Sequence, residues 1–337
     1  MRIAFYSYAF FPAVGGIESV SMVLANEFVR LGNEVCLITT TPADPAVDRD
    51  FPFRVLRNPS RKELSAAIAW SDVYFQNNIS LPALWPAFLH RKPWVVAHQT
   101  WLRAVDGRVD FPAQLKLFAT RFASSSIAIS RAMAEQFSTS QTLIGNSYDA
   151  AIFREIDGSV RDRDFIFVGR LVSDKGVDTL LDAFAQVVKT RPDSQLTIVG
   201  GGDNEPALRE QKKRLELESN VQFVGVQRGE SLARLLHQHR VMVVPSRWEE
   251  PYGIVALEGL ACGCFVVGSE RGGLKDAIGP GGITFPNGDA DSLATAMEKS
   301  LVMPRNEAAV RAHLERQSPT SVAQAYLEVF QRVAGKS

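Results

Sequence analysis

Short apolar runs alternate with helical stretches along this chain, and the alternation occurs twice, broken once in the middle. The first series has strand-type runs at Ile3–Tyr8, Glu34–Thr39, Ser71–Gln76, Trp94–His98, Ile127–Ile129 and Thr142–Ile144. The second has them at Phe165–Val168, Gln195–Val199, Val221–Val224 and Val241–Val244. Helical spacing fills the gaps, for example over Glu18–Leu31, Asp178–Thr190 and Pro206–Leu217. Parallel strands joined by helices cross over right-handedly and build a sheet covered on both faces. The chain is therefore expected to be α/β, with two facing doubly wound Rossmann-like domains and a cleft between them. Aspartates, a glycine and arginines break the pattern between Tyr148 and Asp164, where the linker is placed. A length of 337 residues suits two domains, each with its own core.

Charge narrows the partners. Lys plus Arg and Asp plus Glu are 37 each, so nothing global points to nucleic acid. No apolar run reaches the roughly 18 residues of a membrane span. The N-terminal stretch Met1–Pro12 has one charge and no small-residue cleavage site after it, and reads as a first strand rather than a signal peptide. Cys36, Cys262 and Cys264, an odd number in apolar settings, read as reduced core residues of a cytoplasmic protein.

The stretch Pro245–Gly259 carries the most chemistry. The strand run Val241–Val244 is closed by Pro245 and Ser246, and Ile254, Leu257, Leu260 and Ala261 then follow at helical spacing up to Gly263. Glu250 lies just ahead of that helix and Glu258 inside it. At 1.5 Å per residue, Gly253 to Glu258 spans roughly 7–8 Å, about the reach from a diphosphate to the far side of a ribose. The N–H groups of Gly253, Ile254 and Val255 would face an anion. A capped helix carrying a solvated glutamate fits the same spacing. Gly169-Arg170 ends the first strand of this half, and Lys175-Gly176 follows before a helix. Arg170 offers a rigid fork for phosphate oxygens and Lys175 a mobile point charge, although either alone also reads as a surface cation.

In the first half, Gly15-Gly16 stands where strand passes to helix. Glycine there lets a ligand approach the backbone and leaves the helix N-terminus open to phosphate, or is merely structural. His98 closes the run Trp94-Val95-Val96-Ala97, at the strand end where open α/β sheets bind ligands. His90, His237, His239 and His313 are assigned nothing, and His237 and His239 would diverge on a helix. Between Arg91 and Arg131 seven cations face two anions, net +5. Leu115, Phe118 and Phe122 share one face of a helix there. That stripe is expected to be core, with the charges solvated; a weak contact with an anionic membrane surface, or with an acidic acceptor, is the other reading.

In this order and spacing, these residues resemble the family-4 retaining glycosyltransferases of the GT-B fold. The resemblance rests on Gly15-Gly16, His98, Gly169-Arg170-Leu171 with Lys175-Gly176, Gly225, and Glu250 with Glu258 at the family's E-x7-E spacing. It covers nearly the whole chain, most firmly Phe165 to Asp291. It implies transfer of a hexosyl unit from a UDP- or GDP-linked sugar to a hydroxyl acceptor, in glycan, glycolipid or cell-surface polysaccharide synthesis. Arg170 and Lys175 then hold the diphosphate and Glu258 the ribose. Glu250 and backbone N–H groups from Tyr252 to Val255 hold the donor sugar, and His98 touches that sugar from the opposite domain. The base rests near Val224-Gly225-Val226. Domains are expected at 1–150 and 151–318, with a closing helix at 319–335 packing back on the first.

The implied mechanism is front-face and metal-independent, with no cofactor besides the nucleotide sugar. Asp48-Arg49-Asp50, Asp162-Arg163-Asp164 and Asp289-Ala290-Asp291 match the DxD triplet of metal-dependent sugar transferases. None follows an apolar strand, and Asp291 reads as a helix N-cap. Gly259, Cys264 and Asp276 depart from the residues usual in the family, the last near the donor sugar. Acceptor binding falls to the loops at Gly15, Ile79–Leu81 and His98–Arg108, with Trp101 and Arg103 as candidates. A peripheral position at the inner membrane face is compatible with these features. A GT-B phosphorylase, a sugar-nucleotide epimerase and a non-catalytic sugar-nucleotide sensor are the competing readings.

Overall fold

The computed structural model describes residues 1–13, 15–103, 108–156 and 158–335. The chain divides into two compact units, Met1–Ser147 with Gln317–Ser337, and Tyr148–Arg316.

The first unit runs β1 (Arg2–Ser7), α1 (Gly16–Arg30), β2 (Glu34–Thr39), β3 (Arg54–Arg57), α2 (Arg61–Trp70), β4 (Val73–Asn77) and α3 (Trp85–Leu89). It continues with β5 (Trp94–His98), α4 (Phe111–Ala119), β6 (Ser125–Ala128), α5 (Arg131–Ala134) and β7 (Thr142–Leu143). Its sheet has the order β3-β2-β1-β4-β5-β6-β7 and all pairings are parallel. Strand order reverses between β1 and β4, so the switch point lies at their carboxyl ends. α1 buries Val20, Leu24 and Phe28 at helical spacing, and carries Glu18 in its first turn and Arg30 in its last, as the helix dipole favours.

The second unit runs β8 (Arg163–Val168), α6 (Val177–Thr190), β9 (Leu196–Val199), α7 (Glu205–Arg214), β10 (Val221–Phe223), α8 (Gly229–Gln238) and β11 (His239–Val244). α9 (Ile254–Ala261), β12 (Phe265–Ser269), α10 (Leu274–Ile278), β13 (Gly282–Phe285), α11 (Ala290–Ser300) and α12 (Glu307–Arg316) complete it. The order is β10-β9-β8-β11-β12-β13, again parallel, with the reversal between β8 and β11. Phe165, Phe167, Leu180, Phe184, Val243 and Phe285 form its main core beneath α6 and α11. The last helix, α13 (Pro319–Ala334), joins the first unit, where Tyr326 and Phe330 pack on Phe28 of α1 and Phe75 of β4.

Three expectations are corrected. The N-cap of α11 is Asp289, which accepts from the N–H groups of Asp291 and Ser292; Asp291 itself is inside the helix. His239 opens β11 and is buried, bonded to Leu235 O and Thr197 Oγ1, so of these two His237 alone is helical. The stripe of α4 is not core: Phe111, Leu115, Phe118 and Phe122 are exposed, because the small Ala113 and Thr120 are what this segment turns inward. Of the charges counted around it, Asp106 lies outside the described residues. Among the described residues no helix is long and apolar enough to cross a membrane.

Candidate active site

Because β8 and β11 are neighbours, everything that follows either strand emerges at the switch point of the second sheet. β8 delivers Gly169 and Arg170; β11 delivers Ser246 to Glu250 and then α9. The structure brings Lys175 and Glu250 into contact, Nζ to Oε1, at 2.5 Å, with 19% and 13% of the side chains exposed. Ser246 Oγ donates to the same carboxylate oxygen at 2.7 Å. The Arg170 guanidinium is exposed and has no hydrogen-bond or ion-pair partner among the described residues.

Backbone geometry explains how Lys175 reaches Glu250. Gly176 has φ +67°, and a Cβ there would run into the carbonyl of Pro245. Only glycine permits both the left-handed turn and this approach. The contact is then fastened: the N–H groups of Arg247 and Trp248 donate to Asp174 O at 2.9 and 3.2 Å, and Arg247 Nη2 meets Asp178 Oδ2 at 2.7 Å. On the other side, Gly273 N–H donates to Glu250 O at 2.7 Å, and Asn287 Nδ2 donates to Ser246 O at 3.0 Å. Gly272-Gly273, whose neighbourhood departs from the family pattern at Asp276, therefore positions Glu250 through its backbone.

Gly253 caps α9 with φ +100°, and a Cβ at that position would lie 2.5 Å from Leu274 Cδ1. The N–H groups of Gly253, Ile254 and Val255 have no protein acceptor among the described residues. They form a ready anion site next to Glu250 in sequence. Tyr252 is buried with its hydroxyl unpartnered, so its backbone rather than its side chain is offered to a ligand. Glu258, inside α9, is partly buried. Burial, together with the nearby Asp149 carboxylate, pushes its pKa up to about 7. No hydrogen bond from the described residues satisfies its carboxyl. At the far side, Val224 and Gly225 follow β10, and Gly225 O accepts from Gly200 N–H at 2.9 Å, tying the ends of β9 and β10 together.

The first unit holds the other candidates. His98 ends β5, is buried, bonds Ser126 Oγ through Nε2 at 2.9 Å and stacks on Phe137 at 4.1 Å. Burial holds its pKa down to about 3, so the imidazole is neutral. Gly16 opens α1, while Gly15 is its extended cap residue. The Glu18 carboxylate folds over Gly15, with Oε2 only 2.6 Å from where a Cβ would stand. The Glu18 carboxylate thus lies beside Gly15, on the approach that the expected ligand contact would use. Arg103 lies over the Trp101 ring at 4.7 Å, a cation–π pair at the start of the expected acceptor loop. Residues 104–107 of that loop lie outside the described residues.

Sequence reasoning missed Ser246, Arg247, Asp174 and Asn287. Arg247, Asp174 and Asn287 have partners far away in sequence, Ser246 reaches Glu250 only four residues on, and short polar residues in loops carry no spacing signal. Of the aspartate triplets, Asp48 pairs with Arg57 at 2.8 Å and Asp164 with Arg240 at 3.4 Å.

Residues 150–316 match the family model for glycosyl transferases group 1. A glycogen synthase of Mycobacterium tuberculosis is 35% identical over 184 residues, covering 53% of this chain and 44% of that protein. A GDP-mannose-dependent monoacylated alpha-(1-6)-phosphatidylinositol monomannoside mannosyltransferase of Corynebacterium glutamicum is 34% identical over 157 residues, covering 43% and 41%. The chain thus spans less than half the length of these relatives. Among solved structures, Anabaena HepE in complex with UDP and glucose superposes with a TM-score of 0.77 at 20% identity, over 98% of this chain and 99% of that one. The sucrose-phosphate synthase of Thermosynechococcus elongatus gives 0.79 at 23% identity over 100% of both chains. Likeness at such identities establishes the GT-B fold. Residues 150–316, the stretch that carries Lys175, Glu250 and Glu258, thus match the group 1 glycosyl transferases.

Proposed function

We propose that this protein is a retaining hexosyltransferase that moves a sugar from a nucleoside diphosphate, UDP- or GDP-linked, to a hydroxyl acceptor. The observation that carries the reading is the Lys175–Glu250 pair, clamped at the switch point of the second sheet beside the unpaired N–H groups that begin α9. A nucleotide sugar needs this combination: cationic and N–H donors for the departing diphosphate, and a carboxylate for sugar hydroxyls. Arg170 adds a second cation, Glu258 an acceptor suited to ribose hydroxyls, and Val224-Gly225 a backbone edge for the base. The names of similar proteins, one GDP-mannose-dependent and one structure holding UDP, agree with such a donor.

In the proposed reaction the bond from the anomeric carbon to the β-phosphate oxygen breaks first. Lys175, Arg170 and the N–H groups of α9 stabilise the charge left on the phosphate. That phosphate oxygen takes the acceptor's proton, and the acceptor oxygen bonds to the same face of the carbon, which retains its configuration. Lys175, held by Glu250, the exposed Arg170 and a helix terminus supply the charge stabilisation, so we propose that no metal is needed. Acceptor binding is assigned to the first unit's loops, with Trp101 and Arg103. His98 contributes a neutral ring whose Nδ1 is without a protein partner among the described residues.

Thermal-shift titration with UDP, GDP and ADP tests the donor assignment, followed by turnover of nucleotide sugars carrying the base that binds. One nucleotide should raise Tm, and its sugar should release free nucleoside diphosphate at a rate unchanged by chelator. No stabilisation by any nucleotide would overturn the reading, and strict dependence on added Mn²⁺ would overturn its metal-free form.

A further inference from the structure

Helix α4 is turned inside out relative to a core helix. Phe111, Leu115 and Phe118, with Phe122 in the 3-10 turn Thr120–Phe122 that follows, are spaced i, i+4, i+7 and i+11 and so form one stripe. They are 75%, 46%, 54% and 58% exposed. Phe118 and Phe122 meet edge to face at 5.4 Å, so that end of the stripe is a joined apolar surface rather than scattered residues.

Charge decides what covers it. Lys116 and Arg121 lie on the same segment. Asp110 is already engaged as the N-cap of α4, accepting from Ala113 N–H at 2.8 Å. Phe122 also lines a cavity of about 670 Å³ with Phe88, Trp94, Arg91 and Arg332. Neither Arg91 nor Arg332 has an anionic partner among the described residues, and the buried Trp94 indole N–H has no acceptor. The stripe thus runs into a hollow holding two guanidinium groups and an unused donor. A second copy of this face would bring like charge against like charge. An anionic bilayer supplies acyl chains for the rings and phosphates for the cations at once.

We propose that α4 and the cavity beside it form a docking face for an anionic lipid bilayer, its rings entering the acyl boundary while Arg91, Arg121 and Arg332 meet lipid phosphates. The proposal goes beyond the donor chemistry and does not depend on it.

Vesicle flotation of the full chain, without donor, tests it. The protein should float with phosphatidylcholine vesicles containing about 40% phosphatidylglycerol and remain behind with phosphatidylcholine alone, since each cation near an anionic surface contributes roughly fivefold. F118S/F122S should reduce partitioning about tenfold. R91E/R332E should reduce it at least as much, with Tm unchanged in both variants because all four side chains lie at the surface. Equal flotation with the two vesicle types, or wild-type flotation by either variant, would overturn the proposal. So would a lipid-free dimer, seen by sedimentation, that F118S/F122S dissolves; a second copy would then be what covers the face.

Discussion

Glu250→Gln should bind the nucleotide more tightly and turn over more slowly. In the donor-free protein Lys175 is already engaged, its ammonium 2.5 Å from Glu250 Oε1 in a pair that is mostly out of water. A diphosphate must draw that ammonium away, leaving Glu250 with Ser246 Oγ at 2.7 Å as its remaining partner. Fully exposed pairs contribute about 0–1 kcal/mol, whereas close and desolvated ones reach about 1.5–7 kcal/mol. For this geometry we take about 1.5 kcal/mol, which is roughly tenfold in Kd. Glutamine keeps the shape and the Ser246 contact but releases Lys175. Calorimetry should therefore show nucleoside diphosphate binding about tenfold tighter. Turnover of the nucleotide sugar should fall about 10²-fold, because a neutral amide holds sugar hydroxyls less firmly than a carboxylate. The control is K175A/E250Q, which should bind nucleotide no tighter than K175A alone. If E250Q binds nucleotide as wild type does, or more weakly, Glu250 does not compete for Lys175 and the reasoning fails.

Arg170→Ala and Lys175→Ala should each lower kcat about 10²–10³-fold, the scale for losing one charge stabiliser; wild-type rates in either would remove that residue from the reaction. Burial and the Asp149 carboxylate raise the Glu258 pKa to about 7. Its contribution to stability is full below the ordinary value near 4.3 and is lost as pH rises through about 7. Tm of the donor-free protein should therefore fall across that interval, and E258Q should flatten the fall. Nucleotide affinity should rise over the same interval, as the carboxylate becomes the better acceptor for ribose, and a pH-independent Kd in the wild type would refute that role.

What the sequence made legible follows from period and position. Strands such as Val241–Val244 are apolar on both faces, so their burial is written in composition, and the two glutamates stand out by their distance from a helix start. β3 and β13 are short edge strands with mixed residues, and such runs do not differ from loops on paper. The clamp of Asp174, Arg247 and Asn287 joins loops that only the sheet order brings together. α4 marks another limit. Its period shows the stripe at Leu115, Phe118 and Phe122, but which side meets the protein is set by neighbours that the period does not encode.

The position of α13 bears on how the molecule can be made. Until Tyr326 and Phe330 arrive, Phe28 and Phe75 have only Phe5 and each other as ring partners, so the unit whose strands are made first is completed last. Tyr148–Arg316 is in effect an insertion between pieces of its neighbour. A fragment cut after Ser147 should therefore be sticky and poorly folded, whereas the inserted portion, expressed by itself, lacks none of its own strands.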